Sequence, residues 1–414
     1  MAKVIPFRAI RPENDKVHLV ASRSVDGYNP AELREKLAGN PYSFLHVINP
    51  DFEDGIKTKP GSIERLTKVK KYFKKFVREK IFLRDESPCY YLYRQIKEGN
   101  EFIGIIACTS IDDYINGVIK IHEQTLTARE EKLKDYLDVC EFNAEPVLFC
   151  YPNDEVIDEL SDEISSSRAD YDFTTTDKIR HTVWIVSGKT VKKIKERFAA
   201  IPNIYIADGH HRSASATLLG KLRRSTRKGY TGEEAFNYYL GVFFPENQLK
   251  IYDYNRVVKD LNGLSVNELI YNLKTNFIIT EIQGNDYKPL QQHEFSMYAD
   301  NKWYSLKVKD NIYNPADPID SLDAAILTKY ILSPILDIHD LKTDKRIGFI
   351  PGVRGSNELK KQVDEGRAAI AFGLFPVTME RLKWIADTNN IMPPKSTWVE
   401  PKMRSGLLIY SLEE

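Results

Sequence analysis

The sequence predicts an α/β chain built on a mixed sheet, and three observations carry that reading. Segments with a two-residue apolar repeat alternate along the chain with segments of helical repeat. The 414 residues exceed what one small core needs, so more than one domain is expected. The stretch "NIYIADGHHRSASA", residues 203–216, runs from an apolar strand through a glycine into a small-residue helix. Such alternation argues for α/β or α+β layers rather than a bundle or a sandwich.

Bulk composition excludes several classes. Lys+Arg and Asp+Glu both number 59, so the formal charge is zero. A neutral chain has no global field for DNA or an anionic membrane; any anion site must be local, and no nucleic-acid partner is expected. No window approaches the roughly 18 apolar residues that span a bilayer, and the opening MAKVIPFRAIRP lacks a signal peptide's apolar core. Cys89, Cys108, Cys140 and Cys150 are scattered, which argues against a disulfide framework or a zinc knuckle. A soluble cytoplasmic protein is expected, its oligomeric state open.

Taken in order, Pro30 to Leu37 reads as a short helix and YSFLHVINP as a strand. Residues 63–82 read as a helix with Leu66, Val69, Phe73, Phe76 and Val77 on one face and a lysine-rich, solvated face opposite. CYYLYRQI and FIGIIACTSI flank KEGNE as a hairpin. A second region begins near Val118, where Thr127-Ala-Arg-Glu130 has the pattern of a capping box opening a helix. VLFCYP, HTVWIV and NIYIA read as strands, VKKIKERFAA as a helix, and 153–170 as an acidic helix with a loop. A helix is expected over 213–224, then two strands around a Pro-Glu-Asn turn between Asn237 and Val258. Beyond lie a helix at 265–274, a hairpin at ADNK (299–302), a helix bent or ended at Pro334, strands at RIGFI and AAIAFGLF, and a loop-rich tail. These elements divide as 1–117, 118–245 and 246–414.

The corner at Asp208 to Ser213 has the physical recipe of a phosphate site. The first amides of a helix have no intrahelical partner, and the helix dipole adds positive charge there. Gly209 lets an anion approach the backbone. Arg212 offers a fork of donors, and His210 or His211 can donate a hydrogen bond or a proton. Asp208 can cap the helix or help hold a magnesium ion. The same residues also fit a plain helix start with packed histidines. A metal site is a third option, though adjacent histidines diverge by about 100° on a helix and would need ligands from elsewhere.

IADGHHRSASA resembles the strand–DGHHR–helix corner of the ParB/sulfiredoxin-like superfamily, which includes the free serine kinases. That resemblance implies a nucleotide-binding core over 118–245, elaborated at both ends, with Asp208, Gly209, His210, His211, Arg212 and Ser213 on nucleotide phosphates. More broadly, KIHEQT, ADGHHR and MPPKSTWVEPKMRSG, in that order, resemble a widespread bacterial family defined only as a domain of unknown function. Many of its members carry an early Pro-Pro-Tyr-Asp stretch where this sequence has HLVASRSVDGY.

The free serine kinases carry a His-Glu or similar acidic pair upstream of the phosphate corner, the glutamate acting as base. Here His122 and Glu123 stand in that order, at a longer spacing. The resemblance therefore implies phosphoryl transfer between ATP or ADP and serine or phosphoserine, with magnesium, Glu123 as base, and His122 and His211 beside it. Three rivals stand beside it: a phosphoserine phosphatase, a nucleotide-gated ParB-like regulator, and a sulfiredoxin-like reductase, the last disfavoured because no cysteine sits near the corner. Lys395, Lys402 and Arg404 in the tail, and more weakly Arg354, are candidate phosphate clamps or plain packing residues.

Overall fold

The computed structural model describes residues 1–413. The chain divides into two compact units. The first takes residues 1–120, 125–249 and the chain from Pro401 on; the second takes 121–124 and 250–400.

The first unit is organised on a mixed sheet. Its strands are β1 (Val4–Ile5), β2 (Tyr90–Lys97), β3 (Asn100–Ser110), β4 (Ile119–Lys120), β5 (Val147–Tyr151), β6 (Tyr171–Thr174), β7 (Arg180–Val186), β8 (Ile204–Asp208) and β9 (Tyr238–Pro245). They lie in the order β4-β8-β5-β9-β3-β2-β7-β6, with β1 on β3. The β4/β8 and β5/β9 pairs are parallel and the others antiparallel. The expected hairpin joins β2 to β3 through Glu98 and Gly99, both at positive φ, the two-residue turn that the strand twist favours. In mid-sheet, Tyr90, Tyr91, Leu92 and Tyr93 are fully buried on both faces, which is why that run reads as continuously apolar.

The longer helices of this unit are α1 (Ile63–Arg78), α2 (Thr127–Cys140), α3 (Glu155–Ser165), α4 (Lys189–Phe198) and α5 (His210–Thr226); α3, α4 and α5 pack on strands of the sheet, α2 packs on α5 and α1 on α2. Leu66, Val69, Phe73 and Phe76 of α1 pack with Phe44, Phe82 and Phe142 in one cluster. Each such burial contributes roughly 2 kcal/mol. Val77 is a correction, lying exposed at the rim. The lysine face of α1 is a solvated, ion-paired surface, with Lys70 on Glu141 and Lys74 on Glu413.

Three further expectations are corrected. YSFLHVINP is not a strand: Leu45–Ile48 is a helical turn. A short, wholly buried apolar run carries no periodicity to separate the two, and the buried His46 ring, bonded to Glu53 and to the Asn40 carbonyl, holds this one as a turn. The capping box at Thr127 does not form, because Thr127 is the first helical residue and Leu126 the cap, with no side-chain cap bond. Helix α5 begins at His210, three residues before the expected start, because Gly209 turns the chain directly out of β8. The division expected at 117/118 falls within the first unit, since strands from both sides share its sheet. A unit boundary falls at Leu249/Lys250.

The second unit carries its own sheet of β10 (Tyr254–Val258), β11 (Phe277–Ile282), β12 (Glu294–Ala299), β13 (Lys302–Val308), β14 (Ile347–Pro351) and β15 (Ile370–Gly373), in the order β11-β13-β12-β15-β10-β14. The ADNK hairpin forms as expected through Asp300 and Asn301, both at positive φ. A helix at Val266–Leu273 starts on a complete Ser265–Glu268 capping box. The helix from Asp323 passes into a π segment, Thr328–Leu332, and stops before Pro334. The two strands around Pro-Glu-Asn do not pair with each other: β9 belongs to the first sheet and β10 to the second. Among the described residues no helix is long and apolar enough to cross a membrane.

Candidate functional site: the strand–glycine–helix corner

The corner is built where β8 meets α5. Antiparallel pairing of β8 with β5 shifts register between Ile206 and Asp208, so the strand ends on an irregularity. Gly209 follows at φ 107°, ψ 29°, in a left-handed region that only glycine enters readily. A Cβ there would also meet the Arg212 guanidinium at 2.9 Å. The chain then enters α5, whose start has no side-chain cap. Asp208 therefore does not cap the helix. The Gly209 carbonyl accepts the N–H groups of Arg212 and Ser213.

Arg212 is held by the protein itself. One amine donates to the Pro146 carbonyl at the start of β5, and the other lies 3.3 Å from Oδ2 of Asp208. Lys402, from the tail, brings Nζ to 3.4 Å from the same oxygen. Burial pushes the Asp208 carboxyl up, but the charges of Lys402, Arg212 and His210 outweigh it and hold it below its usual range. The sequence marked Lys402 as a weak candidate; the Pro146 carbonyl carries no side-chain signal at all and was not anticipated.

The two histidines diverge. His210 is buried. His211 accepts the backbone N–H of Leu126 on Nε2 at 3.0 Å, which places its proton on Nδ1 and joins α5 to the start of α2. Ser213 is fully buried and faces the hydroxyl of Tyr239. Its side chain is thus packed in the interior, as are those of Ala214, Ser215 and Ala216. His122 and Glu123 belong to the second unit, where the buried His122 accepts the Met392 N–H on its carbonyl.

The remaining tail candidates separate. Arg404, 5% exposed, bonds Asp177 through both carboxylate oxygens at 2.7 Å, Thr175 at 3.0 Å and Nε2 of His181 at 3.2 Å. Its Nε and Nη2 donors are engaged by groups of the protein itself. In the second unit, Lys395 stands over the Tyr254 ring at 5.6 Å and Arg354 is exposed on a short turn. Among the described residues no group of three or more His, Cys, Asp or Glu side chains comes together to hold a metal.

Residues 4–325 match the profile of a family described as "Protein of unknown function (DUF1015)". The chain belongs to DUF1015. No curated protein matches this DUF1015 chain. Among solved structures it is similar to a free serine kinase variant in complex with AMP, at 14% identity and TM-score 0.39, over 74% of this chain and 92% of that one. A conserved hypothetical protein from Pyrococcus furiosus is similar at 14% identity and TM-score 0.37, over 74% and 96%. C-terminally truncated SbnI from Staphylococcus aureus is similar at 11% identity and TM-score 0.38, over 71% and 82%. At TM-scores this low, nothing about the chemistry of this DUF1015 protein follows from them.

Proposed function

We propose that this DUF1015 protein transfers a phosphoryl group between a nucleoside phosphate, ATP or ADP, and a small hydroxylated metabolite, with L-serine and O-phosphoserine as the leading pair. The observation that carries the reading is the corner itself. A helix of 17 residues starts there without a side-chain cap, behind one carboxylate that two cations approach. Such a start favours an anion through its amides and its dipole.

In this reading Gly209 and the first turn of α5 cradle the phosphates, while Arg212 and Lys402 supply charge. Asp208 would be the protein's ligand to a magnesium ion arriving on the phosphates, which adds charge neutralisation there. Glu123 accepts the hydroxyl proton as the acceptor oxygen attacks the terminal phosphorus, whose bond to the bridging oxygen breaks and releases the nucleotide with one phosphate fewer. His211, with Nε2 engaged, acts here by position rather than as a proton carrier. Ser213 contributes packing, which narrows the expected phosphate contacts to residues 208–212.

The test is a ³¹P NMR time course of the full chain with magnesium, ATP or ADP, and either serine or phosphoserine. Exchange of phosphorus between nucleotide and amino acid is the expected result. Phosphate released from phosphoserine without any nucleotide would instead establish the hydrolase, and inertness with tight nucleotide binding would establish the regulator.

A further inference from the structure

In the second unit, the helix that opens at Asp323 closes on a π segment, Thr328–Leu332, a local widening that recurs at functional sites. Ser333 follows, half-buried, with its backbone N–H on the Thr328 carbonyl at 3.0 Å. The chain then doubles back. The Ile338 N–H returns to the Leu332 carbonyl at 2.8 Å, and Leu336 and Ile338 are fully buried. Burial of those alternate residues leaves Asp337 and His339 exposed. Arg346 fixes the Asp337 carbonyl at 2.6 Å and that of Leu336 at 3.0 Å, and Asp337 is held at φ 55°.

This path lines up three side chains. The Ser333 hydroxyl lies 2.7 Å from Nδ1 of His339, and Nε2 of the same ring lies 2.8 Å from Oδ1 of Asp337. A carboxylate only accepts, so Nε2 carries the proton of the neutral ring and the bare Nδ1 accepts the serine O–H. Each bond adds only about 1 kcal/mol, and a left-handed aspartate costs about as much, so stability alone does not account for the arrangement. Ser333 and His339 also line one open cleft of about 550 Å³ with Ile319, Asp320, Thr328 and Lys329. Lys329, four residues before Ser333, brings an ammonium to that wall and shares it with Asp320 at 2.6 Å. A nucleophile beside its base, a carboxylate orienting that base, and a cation on the same wall are the parts of acyl transfer.

We propose that Ser333 and His339, positioned by Asp337, form a hydrolytic site of the second unit that cleaves small carboxylic esters. As Ser333 Oγ bonds to the acyl carbon, its proton passes to Nδ1 of His339 and the carbonyl electron pair moves onto oxygen, where the Lys329 charge offsets it. The adduct collapses by breaking the C–O bond to the alcohol, which leaves with that proton. Water then attacks the acyl-serine, gives a proton to His339, and releases the acid as Ser333 regains its own. His339 is 68% exposed, so the site suits a short acyl chain and ready access of water.

Labelling of the full chain with a fluorophosphonate, mapped by peptide mass spectrometry, tests the assignment, because Ser333 Oγ displaces fluoride at phosphorus. The expected result is an adduct on Ser333 that forms about a hundred-fold more slowly in His339→Gln. Asp337→Asn should slow labelling about ten-fold or more, and Asp337→Glu should restore most of the rate, which a merely structural role would not require. Hydrolysis of p-nitrophenyl acetate should fall to the buffer rate in Ser333→Ala. No adduct on Ser333, wild-type labelling in a folded His339→Gln protein, or unchanged ester hydrolysis in Ser333→Ala each overturns the proposal. Equal labelling of the Asp337 variants overturns the role of Asp337. No step here uses a nucleotide, so the phosphorus exchange above stands or falls separately.

Discussion

The backbone N–H of Leu126 donates to Nε2 of His211 across 3.0 Å, joining the start of one helix to the start of another. The bond takes up the N–H of the cap residue of helix α2, one of the two bonds of a capping box, and it does so with a residue that the sequence marks as catalytic. His211→Ala should therefore raise amide exchange at Leu126 and loosen the first turn of α2. Hydrogen exchange resolved at Leu126 checks this; unchanged protection there would show that the bond contributes nothing.

Gly209 carries a separate expectation. At φ 107° an added Cβ is strained, and it also meets the Arg212 guanidinium. Gly209→Ala should destabilise the first unit by roughly 1–3 kcal/mol and displace Arg212. Urea denaturation gives the magnitude, and wild-type stability in the variant would contradict the conformation described.

Glu123→Gln keeps size and most packing while removing the base. The chemical step should slow by roughly two to four orders of magnitude, with nucleotide affinity little changed. Single-turnover kinetics with the proposed substrate pair measure it. Normal turnover would remove Glu123 from the mechanism and leave the phosphate corner standing.

The buried network around His181 sets a pH dependence. His181 has no exposed surface, and its Nδ1 lies 2.7 Å from the Tyr93 hydroxyl. Burial lowers its pKa to about 3; the Arg404 charge adds to that and Asp177 opposes it. A depressed histidine gives stability that is full above its unfolded value, near 6.5, and is lost as pH falls through the interval down to about 3. Between pH 6 and 4 unfolding free energy should fall with a slope approaching one proton, about 1.4 kcal/mol per pH unit. His181→Phe should flatten that component, as denaturation series at several pH values would reveal.

Arg404→Leu removes the positive partner from the same network and leaves Asp177 and the His181 ring without it. Destabilisation of roughly 3 kcal/mol is expected, discounted from a fully buried pair because Asp177 is 35% exposed. Thermal melts compared with Asp177→Asn and the double variant would separate the pair's coupling from simple loss of packing.

What the sequence determined by itself is local. The Glu98-Gly99 and Asp300-Asn301 turns, the Ser265 capping box, the apolar face of α1 and the stop before Pro334 each follow from a few adjacent residues whose preferences agree. The strand–Gly209–helix corner was legible for the same reason, since glycine at a left-handed turn leaves a direct mark. Tertiary structure decided the rest. It turned YSFLHVINP into a helical turn, replaced the Thr127 cap with a bond from His211, drew Ser213 into the core, and parted β9 from β10 into two sheets. It also sorted the tail, sending Arg404 into a partly buried ion pair with Asp177 and Lys402 to Asp208. Those outcomes depend on partners up to 229 residues away, as between Arg404 and Thr175, and a hydrogen bond or ion pair across such a distance leaves no periodicity in the sequence to read.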